Sequence, residues 1–147
     1  MPDAIGHTVI IALGSNHEEA EAKIAKAIQL MSSYITDMHC TKILTTEPIG
    51  IQSGPFCNCL ITGCTTLDAP ALIAAIKQTE RDCGDRRSLR RKNVIVMDID
   101  LLLHGTKRYH PMDWERSYIQ QLLSLCWEDE SEKILYEIDS ESPISTS

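Results

Sequence analysis

The stretch that most constrains the fold is VIVMDIDLLL, residues 94–103, which is apolar except for Asp98 and Asp100. In a β-strand, residues two apart point to the same side, so the two aspartates would share one face. Burying an unpaired carboxylate is costly, so that face must be open to solvent or matched by cations. The opposite face is apolar throughout and suits a core beneath helices; it consists of Ile95, Met97, Ile99, Leu101 and Leu103.

Hydrophobic periodicity predicts the remaining elements. The resulting order is β-α-β-β-α-β, the ferredoxin-like α+β arrangement, in which two helices pack on one face of an antiparallel sheet. The active site is expected on the other face. Strands are predicted over residues 8–13, 37–46, 56–66 and 93–103, the two packed helices over 17–33 and 69–83, and a further helix over 112–126.

Local signals mark where the two packed helices begin and end. Asn16 is a good N-cap, and Glu19 follows three residues later, as in a capping box. Asp68 is the predicted N-cap of the second helix, and Gly84 is its predicted stop. The Gly, Pro and Ser content of residues 47–55 predicts a loop.

Charge is unevenly distributed in the 147-residue chain, whose net charge is −7. Residues 128–141 contain seven acids and one lysine, whereas RRSLRRK, residues 86–92, contains five positive charges. We therefore predict a single domain over residues 1–127 and an acidic tail over 128–147. The near-neutral domain argues against a nucleic-acid partner, and the basic loop suits a nucleotide phosphate, although a solvated surface loop is the alternative.

The sequence contains no sign of a membrane or secretory segment. No apolar run approaches the roughly 18–20 residues of a membrane span, and the N-terminus lacks a basic region followed by an apolar one. These features predict a cytoplasmic protein with no membrane partner. The six cysteines form no CxxC pair and are expected to be reduced thiols. The oligomeric state stays open.

The two aspartates have a functional and a structural interpretation. Carboxylates at i and i+2 of a strand lie roughly 6.5–7 Å apart and can hold Mg²⁺, which keeps several waters and binds substrate phosphates. Alternatively, they only mark the solvent side of a half-exposed strand. The nearby basic loop favours phosphoryl transfer, because charge spreads over the transferring oxygens.

Several motifs together resemble one enzyme family. In order, these are IALGSN, TEPIG, FCNCLI, a glutamate at the end of the second helix, and DIDLLL. They are similar to 6-hydroxymethyl-7,8-dihydropterin pyrophosphokinases of folate biosynthesis, over about residues 9–127. The resemblance implies a ferredoxin-like fold, ATP-dependent transfer of pyrophosphate to the pterin hydroxymethyl group, and release of AMP.

The resemblance also implies roles for individual residues. Asp98 and Asp100 would bind two Mg²⁺ ions that bridge the ATP phosphates, and they would act in catalysis together with His110 and Arg116. The implied pterin site consists of Thr46, Pro48, Ile49, Gly50, Phe56, Asn58 and Tyr118. The implied nucleotide site consists of Glu80, Arg87, Arg91, Lys92, Leu101, His110 and Arg116.

The chain departs from the family just before the aspartates. A Gly-Pro-Arg-like segment usually stands there, and its arginine contacts the transferring phosphates; here Ile95 occupies that position. The aspartate that follows the histidine in the family has no obvious counterpart. We expect one of Arg90, Arg91 or Lys92 to compensate for Ile95. The alternatives are a diverged pterin- or nucleotide-binding relative with little turnover, and a regulatory or assembly domain.

Overall fold

The computed structural model describes residues 6–126, and these form a six-stranded antiparallel sheet with helices on both faces. The strand order is β2-β4-β1-β5-β6, and β3 pairs with β4. The strands are β1 (His7–Ser15), β2 (Thr36–Cys40), β3 (Leu44–Thr46), β4 (Phe56–Thr65), β5 (Asp98–His104) and β6 (Lys107–Arg108). The helices are α1 (Ala20–Met31), α2 (Ala69–Asp82), α3 (Arg87–Arg90), α4 (Pro111–Trp114) and α5 (Ser117–Ser124).

The larger core lies between the sheet and the helices α1 and α2. Apolar side chains that alternate along the central strands meet the buried stripe of each helix, as the period of two in a strand and 3.6 in a helix requires. Burial of this apolar area is the main favourable contribution to folding. The members of this core include Ile11 and Leu13 of β1, Ile24 and Met31 of α1, Leu72 and Ile76 of α2, and Ile99 of β5.

A second, smaller core covers part of the opposite face. There α4 and α5 pack on the sheet, and the cluster contains Ile10, Leu60, Leu102, Leu103, Trp114, Ile119, Leu122 and Leu123. Because α4 and α5 are short, they leave one end of this face uncovered. The aspartate pair lies at that end, on the side away from α1 and α2.

The structure confirms the mixed α+β class with an antiparallel sheet, and it corrects several element boundaries. The second predicted strand is interrupted and becomes β2 and β3. The strand of the aspartates begins only at Asp98, because Asn93 adopts a left-handed backbone with φ 63° and turns the chain. The helix predicted over 112–126 is broken into α4 and α5, with Arg116 in an extended conformation between them.

The predicted capping box at α1 is wrong. The N-cap residue is Glu19, and it makes no side-chain cap hydrogen bond. The Asn16 side chain instead donates from Nδ2 to the Asn93 carbonyl (2.8 Å) and accepts at Oδ1 from the Ile95 N–H (2.7 Å). Asn16 therefore ties the end of β1 to the segment before β5. The Asp68 cap of α2 is confirmed, since its carboxylate accepts from the Ala71 N–H at 2.9 Å.

One residue of the aspartate strand lies on the face opposite to the predicted one. Leu103 packs in the smaller core, not beneath α1 and α2. The reason is a register shift in the pairing of β1 with β5, between Ile10 and Ile11. The extra residue reverses the alternation of side chains at the end of β5, so Leu103 points to the other face. The acidic tail lies outside the described residues. Within residues 6–126, no helix is long and apolar enough to cross a membrane.

Candidate active site

The site is built on two rows of residues that cross three neighbouring strands. In the first row Gly14 of β1 stands between Asn58 of β4 and Asp98 of β5. In the second row Ala12 of β1 stands between Leu60 and Asp100. Residues paired across antiparallel strands point to the same face. The small side chains of β1 therefore form the floor of a depression with an amide on one side and two carboxylates on the other.

This depression is a cavity of ≈ 210 Å³ at the uncovered end of the sheet. Loop residues that follow β3 form one wall, and residues around α4 and α5 form the other. The cavity is lined by Ala12, Leu13, Gly14, Thr46, Glu47, Ile49, Phe56, Asn58, Cys59, Asp98, Asp100, Asp113, Arg116 and Tyr118.

The Asn58 amide is fixed by two neighbours. Its Nδ2 donates to the Thr46 hydroxyl at 2.6 Å, and the residue is 8% exposed. A Cβ at position 14 would lie 2.7 Å from Asn58 Oδ1, which is closer than side chains approach one another. Gly14 is therefore required at this position for the amide to lie across the floor.

The two aspartates form an electrostatically coupled pair. Burial, the charge of Asp98 and a hydrogen bond with Asp98 raise the pKa of Asp100 to about 8, and the charge of Asp113 acts in the same direction. Without a cation, the pair therefore retains a proton near neutral pH. A divalent cation would replace that proton.

The donor set fits Mg²⁺ carried in by a phosphate ligand. Asp98 and Asp100 offer hard carboxylate oxygens, and within residues 6–126 no group of three or more His, Cys, Asp and Glu side chains could hold a metal ion. Mg²⁺ is commonly bound by one or two carboxylates, with its remaining positions filled by water and substrate phosphate. A two-carboxylate site is therefore suited to a metal–nucleotide complex.

Buried acids on the helix side support the start of β5. Glu80 Oε2 accepts from the Ile99 N–H at 2.7 Å, and Asp85 Oδ1 accepts from the Val96 N–H at 3.1 Å. Within residues 6–126, β6 pairs with β5 at Leu103 and His104 alone, so on that side of β5 these earlier N–H groups have no strand beside them. Burial raises the pKa of Glu80, while the hydrogen bond from Ile99 opposes that rise. These carboxylates take the place of a neighbouring strand.

Arg90 links these acids to the site. Its Nε lies 2.6 Å from Asp85 Oδ2, and its Nη2 donates to the Met97 carbonyl at 3.0 Å. The same Nη2 lies 3.4 Å from Asp98 Oδ1 and 4.0 Å from Glu80 Oε2. One arginine of the basic loop thus contacts a cavity-lining carboxylate.

A second cavity of ≈ 220 Å³ adjoins the first. Asp100 lines both cavities, and His110 Nε2 lies 3.8 Å from its carboxylate. His110 has a left-handed backbone, φ 54°, and precedes α4. The lining residues are Ile73, Ile76, Lys77, Ile99, Asp100, Leu101, Tyr109 and His110.

Arg116 and Tyr118 close the first cavity from the side of α5. Arg116 Nε lies 3.3 Å from Asp113 Oδ1, so an acidic partner orients the guanidinium. Burial raises the pKa of the Tyr118 hydroxyl, and the charge of Asp113 adds to this. Tyr118 is therefore a neutral aromatic wall.

The structure brings most of the predicted site residues together. Among those lining the first cavity are Thr46, Ile49, Phe56, Asn58, Asp98, Asp100, Arg116 and Tyr118, and among those lining the second are Leu101 and His110. Glu80 lies behind β5 and lines neither cavity. The remaining predicted residues also lie outside both linings: Pro48, Gly50, Arg87, Arg91 and Lys92. Their assignments stay predictions.

Sequence reasoning did not find three of the charged lining residues. Asp113 lines the first cavity and pairs with Arg116, and a carboxylate three residues before an arginine was the available signal. Glu47 also lines the first cavity, and Lys77 the second. Glu47 lies within TEPIG, but the resemblance implied no role for it, and Lys77 belongs to none of the quoted motifs. Only the tertiary fold places these two side chains at the cavities.

Comparison with known proteins points to one family. The sequence model of the 7,8-dihydro-6-hydroxymethylpterin-pyrophosphokinase family matches residues 10–126. A mitochondrial folate synthesis bifunctional protein from Arabidopsis thaliana is 30% identical over 125 residues, which cover 77% of this chain and 22% of that protein. A folate synthesis bifunctional protein from Chlamydia caviae is 29% identical over 134 residues, covering 80% of this chain and 30% of its own length. The chain thus spans less than a third of these curated relatives.

Solved structures share the fold. The wild-type HPPK-DHPS of Plasmodium falciparum with pterin and p-hydroxybenzoate has a TM-score of 0.52 and 12% identity, covering 95% of this chain and 36% of that one. A triple mutant of the same protein with STZ-DHP has a TM-score of 0.55 and 13% identity, covering 93% of this chain and 34% of that one. At such identities the likeness concerns the fold alone.

Proposed function

The chain belongs to the 7,8-dihydro-6-hydroxymethylpterin-pyrophosphokinase family, and we propose that it transfers pyrophosphate from ATP to 6-hydroxymethyl-7,8-dihydropterin in folate biosynthesis. In this reaction the hydroxymethyl oxygen attacks the β-phosphorus of ATP. The bond between that phosphorus and the oxygen bridging it to the α-phosphorus breaks, and AMP leaves. The hydroxyl proton is released as the new ester bond forms.

The observation that carries the proposal is that two cavities meet at one carboxylate. Asp100 lines both, and Asp98 stands beside it in the first. A two-substrate reaction needs its reacting groups held side by side, which converts an encounter into an oriented, effectively unimolecular step. The junction is therefore the place where a nucleotide and an acceptor would meet.

The first cavity suits a flat, polar heteroaromatic ring. Phe56 and Tyr118 provide aromatic surface, and Asn58 provides an amide edge. Because one Asn58 N–H is used by Thr46, its Oδ1 and its second N–H remain to pair with an amide-like ring edge. We assign the pterin to this cavity, with the loop containing Ile49 as its outer wall.

The second cavity suits a nucleoside with phosphates directed at the aspartates. Ile73, Ile76 and Leu101 supply apolar surface, while Lys77 and His110 supply donors. Arg116 faces the same junction from the first cavity. We assign ATP to this side and retain the exposed Arg87, Arg91 and Lys92 as cations that would meet its phosphates when the basic loop closes.

Asp98 and Asp100 would hold Mg²⁺, two ions by the family resemblance. Mg²⁺ held there would supply neutralisation of the phosphate charge and orientation of the reacting oxygens. The protein itself would fix the positions of the two carboxylates, through the pairing of β5 with β1 and through the hydrogen bonds of Glu80 and Asp85 to the backbone around the start of β5. His110 would donate to a phosphate oxygen near Asp100.

A weakly active or non-catalytic pterin- and nucleotide-binding relative is the second candidate, and Ile95 favours it. The backbone of Ile95 is bonded to Asn16 on both sides, donating to Oδ1 at 2.7 Å and accepting from the Asn16 N–H at 3.1 Å. The segment is thus fixed with an apolar side chain where the family resemblance implies an arginine. Loss of one charge-stabilising donor costs about 10²–10³-fold in rate.

Measuring AMP release separates the two candidates. With ATP, Mg²⁺ and the hydroxymethyldihydropterin, we expect one AMP for each pterin diphosphate formed. Asp98→Asn and Asp100→Asn should each lower the rate by at least about 10²-fold, whereas Glu21→Gln on the exposed side of α1 should not. Binding of the pterin and an unreactive ATP analogue without AMP release would favour the second candidate, and no binding of either would refute both.

Two finer assignments belong to the same proposal. We assign the sheet to the ferredoxin-like topology, which the strand order β2-β4-β1-β5 and the position of α1 and α2 on one face support. We also propose a cytoplasmic location, which imaging of the tagged full-length protein would test.

A further inference from the structure

Arg90 occupies an unusual position for a cation next to a metal-binding pair. It extends from the end of α3 to Asp98 and bonds to the backbone immediately before it, at the Met97 carbonyl. The other members of the basic loop, Arg86, Arg87, Arg91 and Lys92, form no ion pair with either site aspartate. Arg90 is therefore the member of the basic loop that contacts the aspartate pair in the described structure.

The guanidinium is fixed along one edge and open along the other. Its Nε and Nη2 contact Asp85 Oδ2, the Met97 carbonyl and Asp98 Oδ1. Its Nη1 has no hydrogen-bond partner within residues 6–126, and the side chain is 35% exposed. Asp85 itself is nearly buried and holds the Val96 N–H. The arginine is thus anchored from behind and presents an unused edge to solvent.

The charges around Asp98 explain what this anchoring does. Asp98 and Asp100 lie on one face, two residues apart, and together would attract a divalent cation. A positive charge at 3.4 Å from Asp98 offsets part of that attraction. A unit charge about 5 Å from a divalent cation disfavours that cation by about tenfold, even in a water-like dielectric. The same positive charge attracts phosphate groups, so it favours binding of a ligand that carries phosphates together with the cation.

We propose that Arg90 is a positioning residue that holds Asp98 and weakens binding of a free divalent cation, so that the cation enters together with a phosphate-bearing ligand. The inference rests on the proposed metal site at Asp98 and Asp100, but it does not require turnover. The unused Nη1 of Arg90 would be free to donate to a phosphate oxygen of that ligand.

The test measures Mn²⁺ binding to the full-length protein, with and without an unreactive methylene analogue of ATP. Mn²⁺ substitutes for Mg²⁺, and its free concentration is read directly by electron paramagnetic resonance. Arg90→Gln removes the charge and retains a donor for Asp85. We expect it to bind Mn²⁺ alone about tenfold more tightly than the wild type and to bind the Mn²⁺–analogue complex more weakly.

Two further variants separate this effect from a loss of folding. The double variant Asp85→Asn with Arg90→Gln leaves no buried carboxylate at position 85 without its arginine. It should bind Mn²⁺ alone more tightly than the wild type and the Mn²⁺–analogue complex more weakly, as Arg90→Gln does. Arg81 lies on the exposed side of α2, and within residues 6–126 its side chain bonds to Gln78 alone. Arg81→Gln therefore removes the same charge away from the site and should change neither affinity. A misfolded variant would lose both affinities together.

The outcomes distinguish this inference from the proposed function. Equal Mn²⁺ affinity in the wild type, Arg90→Gln and the double variant would overturn the role of Arg90 and leave the metal site intact. Failure of every variant to bind millimolar Mn²⁺ would overturn both. Tighter Mn²⁺ binding by the two Arg90 variants, with no AMP released by the wild type, would support the role of Arg90 in a protein without turnover.

Discussion

Replacement of Gly14 by alanine is the sharpest test of the pterin cavity. The new Cβ would lie 2.7 Å from Asn58 Oδ1, whereas ordinary van der Waals contact begins at 3.4 Å, so the amide has to move by about 0.7 Å. Asn58 cannot move freely, because it is buried and bonded to Thr46 at 2.6 Å. We therefore expect the Asn58–Thr46 hydrogen bond to break or the amide to turn away from the cavity.

The size of the effect follows from the groups involved. A buried polar group that loses its partner costs about 1–3 kcal/mol. At 1.4 kcal/mol for each factor of ten, pterin affinity should fall by about 5- to 150-fold. Alanine in a strand interior recovers about 0.5–1 kcal/mol relative to glycine, so the melting temperature should fall by only a few degrees.

The assay is pterin binding by calorimetry or intrinsic pterin fluorescence, with thermal unfolding measured in parallel. Gly54→Ala is the matched control, since a Cβ there meets nothing within 4 Å. In an Asn58→Ala background, Gly14→Ala should have almost no further effect on pterin affinity, because the clashing atom is gone. Wild-type pterin affinity in Gly14→Ala, or additive effects in the double variant, would refute the reasoning.

Two more predictions follow from the supporting contacts. The pKa of Asp100 is about 8 in the folded chain, against an ordinary value of 3.8, so between these pH values the folded state binds more protons than the unfolded state. The free energy of unfolding should therefore fall as the pH rises from about 4 to 8. Chemical denaturation of Asp100→Asn should show a flatter dependence on pH. Asn16→Ala removes two side-chain hydrogen bonds to the segment before β5 and should destabilise the chain by about 1–3 kcal/mol, with faster hydrogen exchange at Ile95. An unchanged exchange rate at Ile95 would contradict that role of Asn16, and a pH-independent stability would contradict the coupling of the aspartates.

The sequence predicted well those features that depend on local periodicity. The alternation in DIDLLL correctly put Asp98 and Asp100 opposite the helix-covered core, and Asp68 correctly marked the start of α2. Both follow from residues at most four apart. The separation of the two carboxylates is likewise a local property, since a single strand fixes it.

Long-range contacts account for the parts that sequence reasoning missed. Asn16 has the sequence signature of an N-cap, but its side chain bonds to residues 77 and 79 positions away. Two hydrogen bonds to a segment that lies outside the regular strands outweigh one capping bond, so tertiary structure overrides the local preference. No spacing rule within the first helix could reveal this partner.

The carboxylates behind β5 show why chemical type alone does not identify a binding residue. Glu80, Asp85, Asp98 and Asp100 are all acidic and lie within a short distance of one another. The first two accept backbone N–H groups that no neighbouring strand can pair, whereas the last two line the cavity. The start of β5 extends beyond β6, so the N–H groups on that side need acceptors other than a strand. A strand that carries a metal site also needs to be held rigid. In this chain Glu80 and Asp85 meet the first need, and by meeting it they fix the position of the two aspartates that the proposed chemistry requires.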